Sequence, residues 1–173
     1  SAASDVYKRQ MGGGNIVVVE RKLYLEVSPE QIYEQMSDVN FFNKVLNTEK
    51  CPNVVYQQDR LVSYELDIKG VGKWESQRIL IPEKLMFITE RRNPLNPFEY
   101  MVIFNIYEKY MNGTKFIYKE EFRLNEANRE NEEQVFKDIS AIVERNMNIV
   151  GNYYGIAKEC VKSVSYTHLR AHE

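Results

Sequence analysis

The sequence predicts an α+β fold in which a curved, seven-stranded antiparallel sheet is covered by two short helices and one long C-terminal helix. One β-rich segment precedes a strong helix start, six further strand-like segments follow between residues 54 and 124, and the remainder has a long helical repeat. One helix cannot fill the concave face of so wide a sheet, so we expect a cavity between helix and sheet.

The first elements are a strand and two helices. Residues 15–27 are rich in β-branched side chains and predict the first strand. Ser28 should cap the next helix, with Pro29 at its first position and Gln31 completing a capping box. This helix should run to about Asp38, and a second short helix should end near Asn47. The second helix should contain Phe41, Phe42, Val45 and Leu46.

The clearest turn signal among the six later strands is the hairpin at residues 111–114. Asn112-Gly113 suits a two-residue type I′ turn. This turn would set the register, with Tyr107 opposite Tyr118, Asn105 opposite Glu120 and Ile103 opposite Phe122.

The last element is a long amphipathic helix. Apolar residues recur at three- and four-residue spacing from residue 130 to residue 162. Asn146, Gly151 and Gly155 are expected to kink or loosen it.

Composition and charge describe an ordinary single domain of 173 residues. A formal net charge of -2 gives no electrostatic reason to expect nucleic acid or an anionic membrane as partner. No apolar run is long enough to span a membrane, so we expect a cytoplasmic protein. Cys51 and Cys160 are expected to be reduced thiols.

Both chain ends resemble translated sequencing-adaptor read-through. We therefore expect residues 1–10 and 164–173 to be artefacts flanking one domain at residues 11–163, with Met11 as the start. The natural chain could then continue past Ser163 into a further domain. Both histidines, His168 and His172, lie in the suspect tail, so no histidine-based catalytic pair or metal site is expected.

A buried arginine is predicted in the segment GKWESQR, residues 72–78. In a strand, side chains alternate between faces, so an outward Lys73 places Trp74, Ser76 and Arg78 on the inner face. A buried charge is costly unless something needs it. Two interpretations have equal weight on alternation alone: a structural ion pair with the inward Glu120, and a substrate-facing group.

Alternation in the other strands predicts a mostly apolar, aromatic interior with a few polar groups. The inward residues are Val62, Tyr64, Leu66, Ile68, Met101, Ile103, Asn105, Tyr107, Phe116, Tyr118, Glu120 and Phe122. Such a lining suits an aromatic or polyketone-like ligand.

Other patterns predict little chemistry. Val102, Phe104 and Ile106 are unusually apolar for an outer face, which indicates either a homodimer contact or a mis-set register. The segment GVGK at residues 70–73 lacks the upstream glycine of a phosphate loop. Carboxylates form no recognisable metal-ligand spacing, so no metal or nucleotide cofactor is expected.

Three groups of residues resemble one enzyme family. They are NPFEYM at residues 96–101, NGT at residues 112–114 followed by Glu121 and Phe122, and Trp74 with Arg78 four residues later. With these anchors, residues 15–162 resemble the single-domain aromatase/cyclases of bacterial type II polyketide synthesis, the tetracenomycin and spore-pigment type, within the START/Bet v 1-like helix-grip superfamily.

The resemblance implies a cofactor-free enzyme that folds a poly-β-ketone, tethered to an acyl carrier protein of the minimal polyketide synthase, and promotes aldol ring closure with dehydration. It implies a catalytic or substrate-orienting role for Arg78, with Tyr118 at the position of a pocket aromatic and Glu120 where glutamine is frequent. On chemical grounds, Tyr118 and Glu120 are the further catalytic candidates, because a guanidinium is a poor proton donor. The expected substrate-binding residues are Trp74, Ser76, Tyr64, Phe42, Phe98, Met101, Asn105 and Tyr107.

The chain departs from the family pattern at three positions. Phe42 and Asn105 stand where tryptophans are usual, and a tyrosine of the family beyond the second helix either aligns with Glu49 or is missing. Arg78 suits the chemistry independently, because a planar guanidinium can hold two carbonyl oxygens and stabilise an enolate. Glu120 could act as a base if burial raises its pKa, although a nearby Arg78 would lower it.

Two other classes of function remain open. A protein of this fold could carry a hydrophobic ligand, such as a lipid or quinone, without catalysis. It could also be a structural or chaperone-like module, which a collapsed cavity would favour.

Overall fold

The structure is a computed structural model that describes residues 14–46, 52–68, 70 and 72–157. Both cysteines, both histidines, Glu49 and the proposed artefact segments lie outside the described residues. The same holds for the predicted helix beyond residue 157 and for the inward placement of the Ile68 side chain.

Seven strands and three helices form the domain. The strands are β1 (Val17–Leu25), β2 (Asn53–Gln58), β3 (Leu61–Ile68), β4 (Gly72–Ile81), β5 (Met86–Arg91), β6 (Phe98–Tyr110) and β7 (Gly113–Leu124). The helices are α1 (Pro29–Ser37), α2 (Val39–Val45) and α3 (Glu132–Tyr154). Short 3-10 helices at Pro82–Lys84 and Glu126–Asn131, which the sequence did not predict, precede β5 and α3.

All seven strands belong to one antiparallel sheet with the order β1-β7-β6-β5-β4-β3-β2. Helix α3 packs on β1, and α1 packs against β5, β6 and β7. The predicted fold, a curved sheet that holds a long C-terminal helix, is therefore confirmed. Strands β4, β3 and β2 therefore form the half of the sheet opposite to β1, on which the long helix packs.

The helix starts follow the predicted capping chemistry. The Gln31 backbone N–H donates to Ser28 Oγ at 3.3 Å, and Pro29 occupies the first helical position. Asp38 caps α2 in the same way, because its Oδ1 accepts from the Phe41 N–H at 2.8 Å. These local bonds satisfy backbone donors that have no partner within the helix.

The predicted end of the long helix is wrong. Helix α3 stops at Tyr154, because Gly155 has a φ of 82°, a left-handed value that favours glycine. The chain then returns to the sheet, where Ile156 forms a bridge with Leu25 of β1. A tertiary contact therefore ends the helix earlier than the apolar repeat indicates.

The predicted register of the β6–β7 hairpin is also wrong, by two residues. Tyr110 pairs with Gly113, so the turn residues are Met111 and Asn112, and Met111 adopts the positive φ of 49°. Gly113 is required for another reason: a Cβ there would lie 2.0 Å from the Leu25 backbone oxygen. The observed pairs are Tyr107 with Phe116, Asn105 with Tyr118, Ile103 with Glu120 and Met101 with Phe122.

A shift of two residues leaves the faces of both strands unchanged. The inward sets predicted for β6 and β7 are therefore correct even though their partners are not. Val102, Phe104 and Ile106 lie half-buried on the outer face, where Ile88 pairs with Phe104 and Ile117 with Ile106. The homodimer predicted from this apolar face stays a prediction.

Candidate functional site

A cavity of about 420 Å³ lies between the sheet and helix α3. The concave face of β3 to β7 forms its walls, and α2 and α3 supply the rest. Its lining comprises Phe42, Tyr64, Leu66, Trp74, Ser76, Arg78, Thr89, Arg91, Pro97, Phe98, Met101, Ile103, Asn105, Tyr118, Glu120, Val135, Asp138, Ile139, Ile142 and Asn146. The cavity predicted from the width of the sheet therefore exists, and it is not collapsed.

Arg78 lies on the cavity wall with only 1% of its surface exposed. Its Nη1 donates to the backbone oxygens of Met36 at 3.1 Å and Ser37 at 2.9 Å, and its Nε donates to Thr89 Oγ1 at 3.3 Å. Met36 and Ser37 end helix α1, where carbonyls lack helical partners and carry partial negative charge. The guanidinium is therefore fixed in place by the end of a helix.

Aromatic rings surround the same guanidinium. Its Cζ lies 4.2 Å from the Phe87 ring centroid, 4.8 Å from that of Phe42 and 5.7 Å from that of Tyr64. Within the described part of the chain, Arg78 forms no ion pair with Glu120 or another carboxylate. The structural ion pair considered above is therefore wrong, and carbonyl dipoles and ring faces stabilise the charge instead.

Glu120 is buried on β7, which is separated from β4 by two strands, and it lies next to Tyr118. The Tyr118 hydroxyl donates to Glu120 Oε2 at 3.1 Å. Burial raises the pKa of Glu120 to about 7, and the Tyr118 hydrogen bond and the charge of Arg91 partly oppose this shift. Burial and the neighbouring Glu120 also raise the pKa of Tyr118, which therefore stays a hydroxyl donor.

Arg91 is a second buried arginine on the cavity wall, and the sequence analysis missed it. Its Cζ lies 3.4 Å from the Trp74 ring centroid, and its Nε donates to the Pro94 backbone oxygen at 2.7 Å. Burial lowers the pKa of Arg91 to about 10, while Glu120 opposes the shift. Alternation in β5 carried the signal, since Phe87, Thr89 and Arg91 share one face.

Ten of the eleven predicted site residues line the cavity. The exception is Tyr107, whose predicted place in the site is wrong. Tyr107 is packed in the core, where its ring stacks on Phe116 with centroids 4.9 Å apart and lies 6.2 Å from Phe87. Helix α1 covers this part of β6. The ten are Arg78, Tyr118, Glu120, Trp74, Ser76, Tyr64, Phe42, Phe98, Met101 and Asn105.

The sequence analysis also missed the helical side of the cavity. Val135, Asp138, Ile139, Ile142 and Asn146 of α3 face the sheet across it. Their three- and four-residue spacing places them on one side of the helix. That spacing was visible in the sequence, but it was interpreted only as evidence for an amphipathic helix.

Two absences concern the described residues alone. Residues 14–46, 52–68, 70 and 72–157 contain no cluster of three or more side chains suited to hold a metal ion. No helix in these ranges is long and apolar enough to cross a lipid bilayer.

Solved structures with the same fold include proteins named as aromatase/cyclases and as norcoclaurine synthase. The Zhui aromatase/cyclase from Streptomyces sp. R1128 is 16% identical, with a TM-score of 0.63 over 79% of this chain and 90% of that one. The di-domain aromatase/cyclase StfQ of the steffimycin pathway is 10% identical, with a TM-score of 0.69 over 88% and 54%. Norcoclaurine synthase from Thalictrum flavum is 12% identical, with a TM-score of 0.61 over 82% and 89%.

No model of a protein family matches the sequence, and no curated protein matches it significantly. At these identities the structural likeness shows the fold alone. The helix-grip fold expected from the resemblance to aromatase/cyclases is thereby confirmed.

Proposed function

We propose that this protein is a cofactor-free polyketide aromatase/cyclase. It would bind a poly-β-ketone tethered to an acyl carrier protein and promote a regiospecific aldol ring closure followed by dehydration. The observation that carries the proposal is Arg78: a guanidinium fixed on a cavity wall by carbonyl dipoles, with no carboxylate partner among the described residues.

Arg78 supplies the electrostatic part of this chemistry. Methylene protons between two ketones are acidic enough that stabilising the enolate is most of the task. The internal hydrogen bonds of Arg78 use Nη1 and Nε, so Nη2 is the donor left for a ligand oxygen. A donor that is already fixed needs no reorganisation when negative charge develops on that oxygen.

Glu120 and Tyr118 would transfer the protons. As a carboxylate, Glu120 takes the methylene proton, and the resulting enolate carbon attacks a second carbonyl to form the ring bond. Tyr118 gives its hydroxyl proton to the new alkoxide and regains one from the protonated Glu120 through their hydrogen bond. In the dehydration, the Glu120 carboxylate removes the second proton of the same methylene, the electrons of that C–H bond form the double bond, and the hydroxyl group leaves as water with a proton relayed from Glu120 through Tyr118. Because the pKa of Glu120 is about 7, both of its forms are populated at neutral pH.

The aromatic residues of the cavity wall would bind the substrate. Trp74 and Phe98 lie against the Arg91 guanidinium and would hold the flat faces of the growing ring. Carrier protein, minimal polyketide synthase and cytoplasmic location stay predictions, as do homodimerisation and the single domain at residues 11–163.

A reconstituted assay with a ketosynthase and a carrier protein tests the proposal. Arg78→Ala should lower the yield of cyclised product and release shunt products with altered ring position. Ile79→Ala changes the next residue, which faces outward and is 46% exposed, and serves as the matched control. Unchanged product yield and regiochemistry in Arg78→Ala would contradict the catalytic assignment.

The apolar and aromatic part of the lining favours a second candidate, a carrier of hydrophobic ligands such as a lipid or quinone. Native mass spectrometry of the purified protein separates the two. A lipid or quinone that stays bound through purification supports the carrier, whereas an empty cavity with turnover in the assay supports the enzyme.

A further inference from the structure

Asn105 carries a buried side-chain amide on the wall of the cavity. It is 1% exposed, and its Oδ1 has no hydrogen-bond partner in the part of the chain that the structure describes. Burying an amide without a hydrogen bond is unfavourable, and most buried amides are paired. The residue therefore weakens the fold unless a ligand completes it.

The amide lies where a bound molecule would reach it. Asn105 lines the main cavity and also a small adjoining recess with Met147 and Val150 of α3. Its cross-strand neighbour is Tyr118, whose hydroxyl is already donated to Glu120. Asn105, Tyr118 and Glu120 thus form one polar strip on the β6–β7 part of the wall, beside the apolar Met101 and Ile103.

We propose that Asn105 is a specificity-determining residue that selects substrates carrying an enol or phenol hydroxyl at the end of the cavity next to α3. This inference rests on the proposed function, and it names the form of the substrate: an enolised 1,3-diketone or the phenol it becomes, not a fully ketonic chain. A hydroxyl group both donates and accepts, so it can satisfy either end of the amide.

Three probes of one shape test the selection by isothermal titration calorimetry. 2-Naphthol has a hydroxyl donor, 2-methoxynaphthalene only an acceptor, and naphthalene neither. The wild-type protein should bind 2-naphthol roughly ten times more tightly than the other two, the range of one buried hydrogen bond. Asn105→Leu should bind all three with similar affinity.

Ile103→Leu is the matched control, because Ile103 lies two residues away on the same face and lines the same cavity. It should change the affinity for all three probes by the same factor. The melting temperature supplies a second readout: Asn105→Leu should raise Tm by roughly 3–6 °C, since it removes an unpaired amide from the interior.

Two results would overturn the inference. The first is equal binding of 2-naphthol and 2-methoxynaphthalene by the wild-type protein, which would mean that water alone satisfies the amide. The second is a lowered Tm in Asn105→Leu with all probes weakened alike, which would make Asn105 a packing residue. Binding of the probes requires no catalysis. A failure of the cyclase proposal would appear in the reconstituted assay, whereas a failure of this inference would appear in the calorimetry, so the two can be distinguished.

Discussion

Two arginines on the inner face of the sheet are equally buried but are stabilised in different ways. Arg21 of β1 is 0% exposed and forms an ion pair with Glu144 of helix α3, outside the cavity. Arg78 of β4 is 1% exposed and is bonded to backbone carbonyls and a threonine, with aromatic rings around it. Burial alone therefore does not distinguish a structural arginine from a candidate catalytic one.

The difference lies in charge compensation. A carboxylate that pairs with an arginine neutralises its charge, as Glu144 does through Nη1 of Arg21. Backbone carbonyls hold the guanidinium of Arg78 in position without neutralising it. The charge of Arg21 in the β1–α3 region is thus compensated by a carboxylate, whereas the charge of Arg78 on the β4 wall is not compensated by a carboxylate of the described residues.

The largest expected effect separates the two arginines by activity. Arg78→Met should lower cyclase turnover about 10²–10³-fold, the usual effect of removing a fixed oxyanion donor. Its unfolding free energy should change by only about 1 kcal/mol, because lost hydrogen bonds and the relieved buried charge oppose each other. Steady-state kinetics and urea unfolding measure the two quantities.

Arg21→Met is the counterpart for that experiment. It should keep most of the turnover, since Arg21 does not line the cavity. Equal losses of turnover in both variants would mean that the comparison reflects general damage to the sheet.

The next effect concerns the two carboxylates, because Glu120, unlike Glu144, has no ion pair in the described residues. Burial raises the pKa of Glu120 from 4.5 to about 7 in the folded state, so the folded protein binds more protons between these values. The contribution of Glu120 to the free energy of unfolding is fully present below pH 4.5 and is lost as the pH rises through 7. Glu120→Gln should therefore be more stable than wild type at pH 8, by on the order of 3 kcal/mol.

Near pH 4, Glu120→Gln and the wild type should have the same free energy of unfolding, which provides the internal control. Tyr118→Phe removes the hydroxyl that stabilises the carboxylate, so it should move the loss of stability to higher pH. Urea unfolding from pH 4 to pH 9 measures these curves, and a Glu120→Gln advantage that is constant with pH would contradict the raised pKa.

The smallest effect tests the structural ion pair. Glu144→Ala removes the carboxylate partner of a buried arginine and should lower the unfolding free energy by about 2 kcal/mol, less than for a fully buried pair because Glu144 is 43% exposed. Glu133→Ala is the control: it breaks an exposed pair with Lys137 and should cost about 0.5 kcal/mol or less. Similar costs in both variants would remove the distinction drawn for Arg21.

Much of the fold and the cavity wall could be predicted because side-chain alternation depends only on the parity of a strand position. A register error of two residues moved every β6–β7 pair yet kept Asn105, Tyr118 and Glu120 facing inward. Alternation gives a face, but it does not say what covers that face. Tyr107 was therefore placed in the cavity, although α1 packs over its end of β6.

The errors arose where a distant contact decides local structure. Gly113 has the sequence signature of a turn residue, but its need for glycine comes from the Leu25 carbonyl of β1. Helix α3 ends where Ile156 rejoins β1. Arg91 was missed because a strand that ends in a proline-rich loop resembles that loop in sequence.

Trp74 is the only tryptophan in the chain, and it lies in the cavity wall with a guanidinium 3.4 Å from its ring centroid. The chain thus contains a single indole fluorophore at the one place where a ligand would change its surroundings. A molecule that enters the cavity alters the polarity around this ring or displaces the stacked cation. Titration of the unlabelled protein with a ligand, followed by tryptophan fluorescence, would then report how much of the cavity is occupied.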